Sequence, residues 1–198
     1  MRTLVLASTS PYRRRLLEQL QLPFLTAAPR FEEELDQSVA PELLVKHLAA
    51  GKAQSLAERY PDALIIGADQ IFVDARGRKH GKPGNFAAAL KQLTAMAGRS
   101  HTFYTGLALL DSASGQLQVD FATFQVTLRS LTEEQIRCYL DRERPFDCAG
   151  SFRVEGLGIA LMESMTGDDI HTLIGLPLIK LVQMLAEAGV DVLSPGHS

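Results

Sequence analysis

The apolar run Ala63-Leu-Ile-Ile-Gly-Ala-Asp69 limits what this chain can fold into more than any other stretch. Polar and apolar residues do not alternate in it, so neither face of the strand it predicts can lie in water. Unbroken apolar strands are typical of sheets that helices cover on both faces. The run therefore predicts a buried central strand, with the carboxylate of Asp69 at its carboxyl end.

The rest of the chain alternates predicted strands with predicted helices, which favours a mixed α/β fold. Strands are predicted at residues 3–7, 24–27, 63–69 with a continuation over 71–74, 101–111 and 118–129. Helices are predicted from residue 11, from 40 or 41 to 59, and at 85–97, 132–141 and 178–188. A glycine-rich loop and strand is expected over 149–163. The Ser-Ala-Ser-Gly turn predicts an antiparallel hairpin in the sheet.

The amino-acid composition is that of a globular protein. The 198 residues are 46% hydrophobic and 22% charged, which suits one domain spanning residues 1–198, or two small lobes around a cleft. The net charge of −3 disfavours binding to nucleic acid. No stretch approaches the ~18 apolar residues that would predict a membrane span, and no signal peptide is evident. We therefore expect a cytoplasmic protein with two reduced cysteines.

The segment "LASTSPYRRRLL", residues 6–17, joins the first strand to the first helix. Ser10 is the expected N-cap and Pro11 the first helical residue. The free N–H groups of a helix N-terminus attract anions, and arginine forks match phosphate oxygens. Capping with solvated arginines is the structural alternative. An arginine in the first turn opposes the helix dipole, however, and an anionic ligand would remove that conflict.

Two lysines are further candidates for phosphate binding, and several carboxylates are candidates for metal binding. Lys52 follows Leu44 and Leu48 at i+4 spacing, so it lies on an apolar helix face. Its ammonium either reaches water along the edge of that face or points into a phosphate site. Lys82 stands between Gly81 and Pro83, but neither "AGKA" nor "HGKP" is a Walker phosphate loop. Asp69 and the Glu32-Glu33 pair could share a Mg²⁺ ion, which favours one or two carboxylates plus substrate phosphates.

Together these motifs resemble the Maf-like nucleotide pyrophosphatases over residues 4–185. The matching segments, in order, are "LASTSPYRRRLL", the Glu33 loop, Lys52, "GADQ", "GKP", "TFYTG", "CAGSFRVEGLG" and "GLPL". The resemblance implies an inosine-triphosphatase-like (Maf/Ham) fold, with a central mixed, twisted sheet, helices on both sides and two lobes around a deep cleft. It also implies Mg²⁺- or Mn²⁺-dependent hydrolysis of nucleoside triphosphates to monophosphate and pyrophosphate, by a protein that is often a homodimer.

The resemblance assigns roles to individual residues. Glu33 and Asp69 are the implied metal-handling carboxylates, and Asp69 is the implied general base, although it could be a metal ligand only. The implied triphosphate-binding residues are Ser8, Arg13, Arg14, Lys52 and Lys82. Arg15 is interpreted as a surface charge.

The segment Ala149-Gly-Ser-Phe-Arg-Val-Glu-Gly156 indicates the branch of the family. Much of the family has tyrosine and glutamine where this chain has Phe152 and Glu155, a pattern associated with dTTP and UTP. The present pattern resembles the branch assigned to 7-methyl-GTP. A carboxylate accepts from guanine N1–H and N2–H₂, and the methylated base is cationic, which favours Glu155 and the faces of Tyr12 or Phe152. Tyr12, Phe152, Glu155 and Gln70 are the predicted specificity residues.

One departure from the family pattern concerns His171, which stands before "GLPL" where the family usually has asparagine. It either replaces that residue as a donor or is a surface histidine. The nearest rival function is a dTTP/UTP pyrophosphatase. A nucleotide-binding regulator of cell division with weak catalysis is the main rival from another class.

Overall fold

The computed structural model describes residues 2–32 and 34–194, and it confirms the mixed α/β fold. The strands are β1 (Thr3–Ala7), β2 (Leu25–Ala27), β3 (Ala63–Val73), β4 (Lys79–His80), β5 (Ser100–Asp111), β6 (Leu117–Leu128) and β7 (Met162–Thr166). The helices are α1 (Pro11–Glu18), α2 (Pro41–Gln54), α3 (Phe86–Met96), α4 (Glu133–Glu143), α5 (Ile170–Ile174) and α6 (Leu178–Glu187). The strands form a mixed sheet in the order β2-β1-β3-β5-β6-β7, and β4 pairs with β3.

The chain divides into two compact units. Unit 1 comprises Met1–Gln70, Thr105–Ala122 and Asp169–Ser198, and unit 2 comprises Ile71–Tyr104 and Thr123–Asp168. The long strands β3, β5 and β6 each contribute residues to both. No helix in the described part of the chain is long and apolar enough to cross a membrane.

Unit 1 contains the parallel strands β2, β1 and β3, with Ala7 of β1 paired to Ala27 on one side and to Gly67 on the other. Alternate side chains of β1 and β3 enter two separate apolar cores. Leucines of α1 and α6 fill one core, whereas Ala49 and Ala53 of α2 fill the other. Helices therefore cover both faces of these strands, as the unbroken apolar run predicted.

Close contact between α2 and the sheet depends on glycine. A Cβ atom on Gly67 would collide with the backbone carbonyl of Ala49, and one on Gly106 would collide with that of Val45. The two glycines let α2 lie directly on β3 and β5. This close packing brings side chains of α2 to the part of β3 that carries Asp69.

In unit 2, β4 runs antiparallel to the end of β3 and β7 runs antiparallel to β6. Helices α3 and α4 pack on each other. An aromatic cluster fills the interior, in which Phe103 contacts both Phe72 and Phe152 with ring centroids 5.3 and 5.5 Å apart.

The structure differs from the predicted elements in several places. The helix expected to reach residue 59 ends at Gln54, because the chain tightens into i→i+3 turns such as Leu56 N–H to Ala53 O. The strand expected within 149–163 is absent from most of that range. Gly150 and Ser151 have φ of 79° and 60° there, which a strand does not allow. The short elements β4 and α5 were not predicted.

Candidate active site

Ser8 and Asp69 lie at one edge of the parallel strands in unit 1. Ala7 pairs with Gly67, so the chain leaves β1 through Ser8 at the level where β3 continues to Asp69. Ligands of α/β proteins bind at the carboxyl ends of such strands. Both residues are buried, at 6% exposure each, and Ser8 Oγ accepts a hydrogen bond of 3.1 Å from Ser10 N–H.

Lys52 and Asp69 form a buried ion pair, with side chains 5% and 8% exposed. The ammonium comes from the apolar face of α2 and the carboxylate from within β3, just past the end of its parallel pairing with β1. The alternative in which the Lys52 ammonium reaches water is therefore wrong. Because isolated buried charges are costly, each of these two groups depends on the other. The pair supplies a cation and a carboxylate at a sheet edge typical of ligand sites.

The three arginines of α1 differ in their surroundings. The Ser10 side chain caps the helix by accepting from Arg13 N–H at 3.4 Å, as predicted. Arg13 turns into the fold, where its Nε donates to Gly175 O at 2.8 Å. Arg14 is exposed and pairs with Glu18 on the same helix, and Arg15 is exposed as well. Among contacts with the described residues, Arg13 is thus the arginine of α1 that a distant part of the chain holds in place.

Gln70, the residue after Asp69, is held by α5. Its amide nitrogen donates to Thr172 O at 2.8 Å and to Leu173 O at 3.0 Å, as well as to Thr105 Oγ1. The loop after α5 also provides Gly175 O, the acceptor for Arg13. Helix α5 therefore supports two predicted substrate residues, although no helix was predicted there.

Asp169 fixes the position of α5. One carboxylate oxygen accepts from the backbone N–H of His171 at 2.9 Å and contacts its ring Nδ1 at 2.6 Å, while the other accepts from Ile179 N–H at 3.0 Å. The Asp169 side chain is 7% exposed, and that of His171 is 29% exposed. His171 is thus a half-buried partner of Asp169 rather than a freely solvated surface histidine.

Of the remaining predicted residues, three belong to unit 2 and Tyr12 belongs to unit 1, whereas Glu33 lies outside the described residues. Lys82 and Glu155 are exposed. Phe152 is 5% exposed and packs edge-on against Phe103, so its ring is part of the interior of unit 2. Tyr12 of unit 1 is half-buried.

The side chains that could coordinate a divalent metal ion are few in the described part of the site. Within residues 2–32 and 34–194, no three His, Cys, Asp or Glu side chains group in a way that could hold a metal ion. Mg²⁺ commonly binds through one or two protein carboxylates together with substrate phosphates. Asp69 fits that second arrangement, so the described residues suit an ion that arrives with a nucleotide better than a permanently bound one.

Comparison with solved structures defines the class of fold. The Ham1 protein of Staphylococcus aureus superimposes over 95% of this chain and 100% of its own, with a TM-score of 0.53 at 12% identity. The chain thus has the α/β fold of the Ham1 proteins, as the sequence predicted.

The family follows from the sequence match. The model of the Maf-like protein family matches residues 3–188, and this chain belongs to that family. A 7-methyl-GTP pyrophosphatase of Syntrophotalea carbinolica is 65% identical over 98% of both chains. A protein of Pseudomonas aeruginosa with the same name is 50% identical over 97% of this chain and 100% of its own.

Proposed function

We propose that this protein hydrolyses 7-methyl-GTP between the α- and β-phosphates, giving 7-methyl-GMP and pyrophosphate. The observation that carries the proposal is the buried Lys52–Asp69 pair, whose carboxylate lies just past Gly67, where the parallel pairing of β1 with β3 ends. Phosphoanhydride hydrolysis needs a cation for the phosphates and a carboxylate that can accept a proton from water. The names of the two full-length relatives support the choice of base.

In the proposed mechanism, Asp69 accepts the proton of the water that attacks the α-phosphorus. Lys52, Ser8 and Arg13 bind the triphosphate, and the family resemblance assigns the exposed cations Arg14 and Lys82 to the same role. When Mg²⁺ or Mn²⁺ is bound, by Asp69 and Glu33 in this proposal, it neutralises phosphate charge. Lys52 then exchanges Asp69 for phosphate oxygens as its partner, so neither buried charge is left without a counter-charge.

Recognition of the base is assigned to Glu155, Tyr12, Gln70 and Phe152. Glu155 would accept from guanine N1–H and N2–H₂, and its charge would favour the cationic methylated ring. The amide nitrogen of Gln70 is already bonded to α5, so Gln70 offers a ligand its carbonyl oxygen. Phe152 is buried, and its proposed contribution is to support the loop of Glu155.

The proposal also covers domain organisation, oligomeric state, partners and location. The chain acts as a single domain, so both units should unfold in one transition, which calorimetry tests. The protein is a homodimer, which light scattering tests. It binds a small nucleotide and neither nucleic acid nor membrane, and it is cytoplasmic, which cell fractionation tests.

A nucleotide panel with Mg²⁺ tests the proposed activity. The assay compares 7-methyl-GTP, GTP, dTTP and UTP, and it separates monophosphate, pyrophosphate and orthophosphate. We expect the highest kcat/KM for 7-methyl-GTP, with pyrophosphate as product. A preference for dTTP or UTP would favour the other branch of the family, and direct release of orthophosphate would exclude α–β cleavage. Absence of turnover with every nucleotide would favour the regulator.

A matched pair of variants tests the role of Glu155. Glu155→Gln should lower the preference for 7-methyl-GTP over GTP, because the neutral amide loses the attraction for the cationic base. Glu163→Gln changes another exposed carboxylate of unit 2 and should leave that preference unchanged. An unchanged preference in Glu155→Gln would remove Glu155 from base recognition.

A further inference from the structure

The loop that carries Glu155 is closed on itself in unit 2. The carbonyl of Arg153 accepts from Gly156 N–H at 3.2 Å and from Gly158 N–H at 3.0 Å. A side chain at Gly158 would collide with that carbonyl. Glu155 therefore lies at the exposed tip of a tight backbone loop, which we call the 153–158 loop.

Glu143, at the end of α4, binds both sides of the 153–158 loop. One of its oxygens accepts from the guanidinium of Arg153, and the other accepts from Leu157 N–H at 3.0 Å. Its side chain is 10% exposed. The carboxylate of Glu143 thus bridges the residues that precede and follow Glu155.

Tyr139, one turn earlier on α4, provides a second anchor. Its hydroxyl accepts from Arg153 N–H at 3.0 Å, and the residue is 3% exposed. Burial raises the pKa of Tyr139, so the hydroxyl stays neutral at physiological pH. The hydrogen bond from Leu157 lowers the pKa of Glu143, and Arg153 adds to this effect, so Glu143 stays ionised. One face of α4 therefore presents one neutral and one charged acceptor to the loop.

We propose that Glu143 is a positioning residue that fixes the 153–158 loop and thereby sets the base preference of the enzyme through Glu155. The inference rests on the proposed function, in which Glu155 contacts the base. A carboxylate at the tip of a loose loop would sample many positions, and its hydrogen bonds to the base would discriminate poorly. Binding the loop on both sides of Glu155 removes this freedom before the nucleotide arrives.

Selectivity measurements on two Glu143 variants and a control test the proposal. Glu143→Ala should reduce the ratio of kcat/KM for 7-methyl-GTP over GTP by about tenfold, the effect of losing roughly one charge-assisted hydrogen bond. Glu143→Gln should have a smaller effect, since the amide oxygen can still accept from Leu157. The control is Glu133→Ala, which breaks an exposed pair with Arg137 on the same helix and should leave the ratio unchanged.

A combined variant separates positioning from general stability. In the Glu155→Gln background, Glu143→Ala should lower the base preference no further, because the group it positions is already changed. A further tenfold loss there would overturn the proposal. Tyr139→Phe removes the second anchor at nearly constant volume, and it should also reduce the preference.

Hydrogen exchange provides a readout that does not depend on the substrate. Glu143→Ala should speed amide exchange in residues 153–158 relative to the rest of unit 2, and unchanged exchange would overturn the positioning role. If the wild type prefers another base, the proposed function fails. The inference then stands only if Glu143→Ala weakens that other preference and speeds the exchange. A wild type with no base preference would overturn both.

Discussion

Replacing Asp69 by asparagine tests both the packing and the chemistry of the site. In the wild type, the Lys52 ammonium is buried and its charge is balanced by Asp69. Removing one partner of a buried ion pair costs about 3–5 kcal/mol, because the remaining buried charge loses that counter-charge. Asparagine keeps the shape and one acceptor oxygen. We therefore expect Asp69→Asn to lower the free energy of unfolding by about 3 kcal/mol, the lower end of that range.

Urea denaturation at pH 7 without nucleotide measures this loss. The control is Arg14→Gln, which breaks the pair with Glu18, whose two side chains are 62% and 49% exposed. Exposed pairs contribute at most about 1 kcal/mol, so the control should stay close to wild type. Adding Lys52→Met to Asp69→Asn should recover much of the stability, because no buried charge then remains.

The same variants separate stability from catalysis. Asp69→Asn should lower kcat by about 10²–10⁴-fold, the usual range for losing a general base, while some nucleotide binding is retained. The double variant should remain inactive although it is more stable than the single variant. Wild-type stability in Asp69→Asn, or no recovery in the double variant, would refute the buried pair. Full activity in Asp69→Asn would refute the catalytic role.

Further predictions concern packing, pH and metal. Gly67→Ala should lower the free energy of unfolding by about 1–3 kcal/mol or more, because the added methyl group collides with the backbone carbonyl of Ala49. The control Gly81→Ala should be tolerated, because the space around Gly81 is open. Burial alone would raise the pKa of Asp74, but hydrogen bonds from His80 and the backbone amides of the turn outweigh it and hold that pKa below its usual value. Asp74→Asn should therefore destabilise the protein at neutral pH, and its difference from wild type should shrink as pH falls below about 4 in urea titrations. Chelation of divalent ions by EDTA should abolish turnover, yet leave Tm without nucleotide unchanged, since the described residues contain no cluster of three metal donors.

The sequence predicted those parts of the site that depend on local pattern. The unbroken apolar run located β3, although the strand continues past Asp69 to Val73 instead of ending there. The i+4 spacing of Leu44, Leu48 and Lys52 put the lysine on the buried face of α2, where the structure finds it paired. Ser10 was expected to cap α1, and it does. In each case the signal lies within a few residues of the feature.

Other parts depend on residues far apart in the chain. Arg13 donates to Gly175, 162 residues later, and Gln70 is held by carbonyls more than 100 residues away. These acceptors lie on or next to α5, a five-residue helix too short to give a periodic pattern. The anchoring of the 153–158 loop by Glu143 was also invisible, because nothing near Glu143 in sequence marks it as different from other charged residues of α4.

Hydrolysis of 7-methyl-GTP in ¹⁸O-labelled water with Mg²⁺ tests the central claim most directly. Mass spectrometry of the products shows which phosphorus the water attacks. We predict one ¹⁸O atom in 7-methyl-GMP and none in pyrophosphate, with label transfer slowed by about 10²–10⁴-fold in Asp69→Asn. Label in pyrophosphate or orthophosphate, or failure of the wild type to hydrolyse this nucleotide, would contradict the account.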